Sequence, residues 1–143
     1  MQRRILSLLL ALALLCAMLP QIALPARAAS SGTCGDNLTW TFDSATGTLT
    51  IAGSGAMDGY NDYHSSPWKS YRSQIRHVVL PAGLTAIGDD AFMYCTGLTQ
   101  ITFPDALTEI GWYAFYGCTG LTQITFPDAL MKSAGMRSTA APG

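Results

Sequence analysis

The sequence predicts an α/β repeat fold, mainly β, in which a solenoid follows a β-hairpin cap and is truncated at its C-terminus. Three observations lead to this prediction. A block of residues recurs at a period of 23, a stretch of alternating apolar and polar residues precedes it, and the pattern fails after Leu130. A fixed period of this length is typical of solenoids, because each copy buries its apolar face only against its neighbours.

Residues 1–28 have the features of a secretory signal peptide. Arg3 and Arg4 supply positive charge, residues 5–19 are apolar apart from one serine, and Ala26-Arg27-Ala28 has the small-x-small pattern that signal peptidase requires. The apolar run is too short to span a membrane comfortably. We therefore expect cleavage after Ala28, export to the cell surface or the medium, and no transmembrane segment in the mature chain.

Residues 29–74 are predicted to form an N-terminal cap. Ser30–Gly35 is expected to be a leader of small residues. Apolar and polar residues then alternate from Leu38, and a turn sequence, Asp-Ser-Ala-Thr-Gly, interrupts the alternation before it resumes and ends at Ile51. This pattern indicates a β-hairpin. The glycine- and serine-rich stretch that follows, up to Ser66, is expected to be a loop.

A short helix is predicted to close the cap. Ser66 offers a hydroxyl cap, and Pro67 suits the first helical position. Trp68, Tyr71 and Ile75 follow at spacings of three and four residues, which places them on one face of the helix.

Residues 75–130 carry the repeats. Thr96–Leu107 recurs without change at Thr119–Leu130, and a degenerate first copy begins at Ile75. In each copy a short strand ends before a proline, which cannot donate a ladder hydrogen bond. A glycine turn and a short aromatic-rich helical turn complete the copy. Successive copies would stack about 4.8 Å apart. The residues expected in the repeat core are Leu98, Ile101, Leu107, Ile110, Phe115, Leu121 and Ile124.

The order C-x-x-L-x-x-I-x-x-P-x-x-L-x-x-I-G-x-x-A-F, read from Cys95 to Phe115, resembles the BspA-type leucine-rich repeats of bacterial surface and secreted proteins. About two 23-residue copies support the resemblance. The segment that begins at Cys34 is similar to the cap module that precedes such repeats. The resemblance covers Cys34–Leu130 and implies a leucine-rich-repeat solenoid with an extracellular interaction role.

Residues 131–143 depart from the repeat. The pattern requires TEIGWYAFYGCTG after Leu130, whereas the chain has MKSAGMRSTAAPG. With permitted codons, deletion of one base from the first threonine codon converts the expected peptide into the observed one, followed by a stop codon. We therefore expect a frameshifted repeat, which would have cut a longer protein short. The alternative is an unrelated tail.

The exposed strand positions are the predicted partner-binding face. Repeat proteins bind through such extended faces, so we expect a host or matrix protein as the ligand and adhesion as the function. Trp112, Tyr113 and Tyr116 either add aromatic contact area or pack in the core. The predicted face, called the polar ladder below, consists of Thr99, Gln100, Thr102, Thr122, Gln123 and Thr125.

Two other functions stay open. The repeats could be a targeting or spacer arm of a larger, enzymatic protein, or the chain could be a non-functional remnant. Solenoids need about three or more copies and a closing cap. Self-association through the open C-terminal repeat is therefore a further expectation, because an uncovered strand edge tends to pair.

No motif for catalysis, cofactors or nucleic acid is present in the sequence. The formal net charge is −1, without the basic stripe that nucleic-acid binding requires. Neither histidine, His64 nor His77, lies at a metal-ligand spacing. We expect a non-enzyme without cofactor or metal. Cys34, Cys95 and Cys118 would remain after cleavage, and the last two either form a disulfide bond or are buried thiols.

Overall fold

The computed structural model describes residues 30–128 and 130, and the cap begins with three antiparallel strands. β1 (Ser30–Gly35) pairs with β2 (Leu38–Asp43), which pairs with β3 (Thr48–Ala56). Buried and exposed residues alternate along β2, as the hairpin pattern predicts. The expected leader Ser30–Gly35 is wrong, because it is a strand. Small residues fit beside the Trp40 ring of β2, because even a Cβ atom on Gly32 would lie only 2.9 Å from Trp40 Nε1.

β3 continues through residues that were predicted to be a loop. Its first part, Thr48–Thr50, pairs in parallel with β4 (His77–Val79), and its last part, Ser54–Ala56, pairs with β5 (Gly83–Ile87). Glycines bend the strand between the two parts: Gly53 has φ +111°, and a Cβ atom there would overlap the carbonyl oxygen of Asn37. The glycines that indicated a loop therefore lie in a strand that pairs first with β4 and then with β5.

The repeats add parallel strands on two sides of a coil. β6 (Gln100–Thr102) and β8 (Gln123–Thr125) extend the side that begins with β4, whereas β7 (Glu109–Ile110) pairs with β5 on the second side. The strand order on the first side is β1-β2-β3-β4-β6-β8. His77 pairs with Gln100 and Gln100 with Gln123, so each 23 residues add one coil. The predicted mainly β repeat solenoid is confirmed.

The third side of the coil consists of turns at residues 88–94 and 111–117. Backbone hydrogen bonds join the two turns: the Asp90 amide donates to Trp112 (3.0 Å), Phe92 to Ala114 (2.8 Å) and Tyr94 to Tyr116 (2.7 Å). Since the amide of every second residue points to the next coil, the turns stack like strands. Ala114 and Phe115 are buried, as the predicted helical turn requires, although the segment forms turns without a helix.

The helix that was predicted after Ser66 is a single turn of 3₁₀ helix, Lys69–Tyr71. The predicted hydroxyl cap is wrong, because the Ser66 hydroxyl is buried without a hydrogen-bond partner. The Ser66 carbonyl oxygen instead accepts a hydrogen bond from the Lys69 amide at 2.9 Å. Trp68 and Ile75 are fully buried, and Tyr71 is partly buried.

An aromatic stack joins the cap to the repeats. The Trp68 ring stacks on Phe92 at 5.7 Å, and Phe92 stacks on Phe115 at 5.3 Å. The Trp68 indole N–H also donates to the Ala91 carbonyl oxygen at 2.8 Å. The core is therefore continuous from the cap into the first two coils. Among the residues expected in the repeat core, four are buried (Leu98, Ile101, Leu107 and Phe115) and three are partly buried (Ile110, Leu121 and Ile124).

The last described coil is open on one side. Within residues 30–128, β8 pairs with β6 alone. Leu121, Ile124 and Phe126 are only partly buried, whereas the residues that precede them by 23 positions are buried. The predicted signal peptide and the predicted frameshifted tail lie outside the described residues.

Candidate protein-binding face

The polar ladder lies on the first side of the solenoid. Gln100 pairs with Gln123 and Thr102 with Thr125, so like side chains lie about 4.8 Å apart on adjoining strands. Ile101 and Ile124 lie between them and point into the coil. Thr99 and Thr122 precede the strands, and all six ladder residues are exposed. The alternation of β6 and β8 thus brings one repeated set of polar groups to the surface.

The cap extends this surface, which the sequence interpretation missed. His77 pairs with Gln100 and Thr48 with His77, so the exposed His77 and the half-buried Thr48 continue the row of Gln100 and Gln123. A shallow depression lies over β4 and β6. It is lined by His77, Val78, Gln100, Ile101 and Thr102. The repeat period could have predicted this extension, because His77 precedes Gln100 by 23 residues.

The chemistry of the ladder is that of hydrogen bonding. Threonine hydroxyls and glutamine amides each donate and accept, and none of the six residues carries a charge. Such a surface can form hydrogen bonds with the polar groups of another protein, and no charged side chain of the ladder has to lose its hydration. These hydroxyl and amide groups suit recognition by hydrogen bonding.

The exposed aromatic residues lie on the third side, away from the ladder. Trp112, Tyr113 and Tyr116 retain about half of their surface in solvent, with exposed fractions of 51%, 50% and 46%. Of the two alternatives for these residues, core packing is therefore excluded. They form a second surface that solvent reaches.

The three described cysteines are buried free thiols, so the disulfide alternative for Cys95 and Cys118 is wrong. The Cys118 thiol donates to the Phe92 carbonyl oxygen at 3.1 Å. Burial raises the pKa of Cys95 from 9.0 to about 12, and the neighbouring Cys118 makes a smaller contribution in the same direction. Burial, with a smaller effect of Asp58, raises the pKa of Cys34 to about 11. Thiols of this kind are protonated at neutral pH and unreactive.

In the described part of the chain, no three His, Cys, Asp or Glu side chains are grouped so that they could hold a metal ion. His77 lies on the exposed side of β4, and His64 packs edge-on against the Tyr60 ring at 5.8 Å. None of the helices formed by the described residues has the length and apolar character needed to cross a bilayer.

Parallel strands that recur once per 23-residue coil, joined by turns around an apolar core, define a leucine-rich-repeat solenoid. Residues 70–136 match the family described as "BspA type Leucine rich repeat region (6 copies)". The resemblance to BspA-type leucine-rich repeats that the sequence shows is therefore confirmed for this part of the chain.

A solved structure is similar as well. It is the crystal structure of a leucine-rich repeat protein from Eubacterium ventriosum ATCC 27560, with 31% sequence identity and a TM-score of 0.58. The similarity covers 63% of this chain and 24% of the other, so this chain spans about a quarter of the similar protein. A comparison with curated proteins finds no match.

Proposed function

We propose that the chain is an exported, non-catalytic module that binds a protein of a host or a matrix and so mediates adhesion at the cell surface or after secretion. The polar ladder carries this proposal. Its glutamines and threonines repeat on adjoining strands, and all are exposed. The predicted signal peptide, residues 1–28, supports export.

The geometry suits a partner that contacts several coils at once. Each added coil repeats the same hydrogen-bonding groups, and repeat proteins use such extended surfaces for recognition. The exposed residues of β4 and the half-buried Thr48 and Thr50 of β3 lengthen the surface beyond the six ladder residues. We therefore propose that affinity is distributed along the first side of the solenoid.

Replacement of Gln100 and Gln123 by lysine tests the proposal. The purified chain is titrated against a panel of extracellular-matrix proteins by surface plasmon resonance. We expect the double variant to weaken the binding found by about tenfold or more, because lysine cannot accept a hydrogen bond and the two charges repel each other. The matched control is Gln74→Lys, at an exposed glutamine outside the ladder. Absence of binding to the whole panel, or equal binding by the double variant, would contradict the proposal.

A second candidate is an arm of a larger protein that a frameshift has cut short. The partly buried Leu121, Ile124 and Phe126 favour it, as does the fact that the similarity covers only 24% of the similar solved protein. The DNA across codon 130 and downstream decides the matter. Further repeats in the displaced frame support this candidate, whereas codons that cannot yield the frameshift contradict it.

The coil that contains β8 also bears on two further expectations, namely self-association and a non-functional remnant. If the chain self-associates through β8, sedimentation will depend on concentration, and replacement of Ile124 by lysine will remove that dependence. If the chain is a non-functional remnant, the purified protein will fail to fold. A monomer that melts cooperatively would count against a remnant.

A further inference from the structure

Three tyrosines on the third side of the solenoid form one exposed group, called the tyrosine cluster: Tyr94, Tyr113 and Tyr116. The Tyr116 ring lies 5.6 Å from the Tyr94 ring and 5.6 Å from the Tyr113 ring, edge-on to both. Each tyrosine leaves close to half of its surface in solvent, with exposed fractions of 46–50%. The cluster is thus a preformed aromatic surface that spans two coils.

The backbone of two of these residues is strained. Tyr94 has φ +60° and Tyr113 has φ +53°. This left-handed conformation costs a side-chain-bearing residue about 1–2 kcal/mol, and glycine, asparagine and aspartate adopt it most readily. One period away, the equivalent positions hold Gly117 and Asp90, with φ +71° and +55°. Each coil therefore has one tyrosine where the other coil has a residue suited to the turn.

The surroundings hold the tyrosines in place. A Cβ atom on Gly117 would overlap the ring of Tyr94, so the glycine makes room for that ring. The Tyr94 amide donates to the Tyr116 carbonyl oxygen at 2.7 Å, which fixes the two turns side by side. The repeat turn sets this backbone conformation, and its cost at Tyr94 and Tyr113 falls on an exposed surface, where strained residues often belong to ligand sites.

Negative charge lies beside the cluster. Asp90 and Tyr113 are equivalent residues of adjoining coils, and hydrogen bonds from Asp90 to Trp112 and from Phe92 to Ala114 place their backbones next to each other. Burial, with the nearby carboxylates of Asp62 and Asp89, raises the pKa of Asp90, although Arg72 opposes this. Two further carboxylates and one guanidinium thus lie near Asp90, so negative charge predominates beside Tyr113.

We propose that the tyrosine cluster is a second interaction surface, distinct from the polar ladder, and that it binds a lysine- or arginine-rich segment of a protein. Aromatic faces attract a cation held within about 6 Å of the ring centre. The carboxylates around Asp90 add attraction for the same charge, and they would repel an anionic partner. Exposed tyrosine rings also supply contact area at a low cost in conformational entropy.

The test uses the purified full chain and fluorescein-labelled octa-arginine, followed by fluorescence anisotropy. Tyr116→Leu keeps an apolar side chain but removes the aromatic face, and we expect it to weaken binding by about threefold or more. Tyr116→Phe keeps the aromatic face and is expected to bind like the original chain. Asp90→Asn, which suits the left-handed turn, is expected to weaken binding because a carboxylate is lost. Gln74→Ala serves as the control and retains binding, since it alters an exposed glutamine outside both surfaces and changes no charge.

Three outcomes would overturn the proposal. The first is equal affinity of Tyr116→Leu and the original chain for octa-arginine. The second is equal binding of a neutral glycine-serine octapeptide, and the third is tighter binding of a neutral oligosaccharide such as cellohexaose. Thermal melts followed by circular dichroism establish that each variant is folded before its affinity is compared. A failure here leaves the ladder proposal untouched, because the two surfaces have separate variants and separate probes.

Discussion

Replacement of Trp68 by alanine is expected to lower the free energy of unfolding by about 3–5 kcal/mol, which is a large share of the stability of a small domain. Trp68 has no exposed surface. Its ring stacks on Phe92 at 5.7 Å and meets the rings of Trp40 and Tyr60 edge-on, each at 5.9 Å. The substitution therefore opens a cavity where the cap meets the first coil.

Urea denaturation followed by circular dichroism measures this loss. Trp68→Phe separates the two contributions, because phenylalanine can preserve the stack but not the hydrogen bond to Ala91. Trp112→Ala is the matched control on an exposed tryptophan, and we expect it to change stability by less than about 1 kcal/mol. A loss no larger for Trp68→Ala than for Trp112→Ala would show that the aromatic stack does not join cap and repeats.

Replacement of Gly88 by alanine is expected to have a comparable effect for a different reason. A Cβ atom on Gly88 would overlap the carbonyl group of Asp58 and lie 2.7 Å from the Gly59 nitrogen. All of these atoms belong to the backbone, so no side chain can turn aside to relieve the overlap. Overpacking in a core costs about 1–3 kcal/mol, and we expect a loss at or above the upper end of this range.

Gly59→Ala provides the control for the Gly88 substitution. A Cβ atom on Gly59 would lie 3.6 Å from the Asp89 nitrogen, which is an ordinary contact. We expect this variant to keep the melting temperature of the original chain within a few degrees. Equal melting temperatures for Gly88→Ala and Gly59→Ala would mean that the coil and the cap do not approach as closely as the structure places them.

The sequence was sufficient for the repeating part of the fold. The period that relates Gln100 to Gln123 is also the strand register, because stacking identical copies places Ile101 and Ile124 against each other on the core side. The alternation of Leu38, Trp40 and Phe42 likewise predicted a strand with one buried face. In both cases a local pattern and the tertiary packing require the same structure.

The cap could be predicted only in part, because its contacts are not local. Ser30–Gly35 has little strand propensity, yet it pairs with β2 because its small residues fit against the Trp40 ring. Gly53 indicated a loop, although it bends a strand that pairs on both sides of the solenoid. Ser66 resembled a helix cap, but burial of Trp68 decides the local conformation.

The candidate surfaces were also predictable to different extents. The six ladder residues followed from the period, since every exposed position recurs with the strand. The tyrosine cluster followed only in part: aromatic contact area was one of two alternatives for Tyr113 and Tyr116, whereas Tyr94 was not a candidate. The left-handed backbone of Tyr94 and Tyr113 contradicts the usual preference of tyrosine. The exposure of Tyr116 depends on the same turns.

Insertion of a second copy of Leu98–Gly120 after Gly120 tests the central claim most directly, namely that each 23 residues form one stacking unit that presents the same surface. Stability in solenoids is approximately a sum over units and their interfaces. We therefore predict a folded chain with a higher urea midpoint and a steeper dependence on urea, since more surface is buried. An insertion of Leu98–Thr108 alone, which breaks the period, should unfold the chain. If the complete copy is as destabilising as the partial one, the period in the sequence is not the stacking unit of the structure.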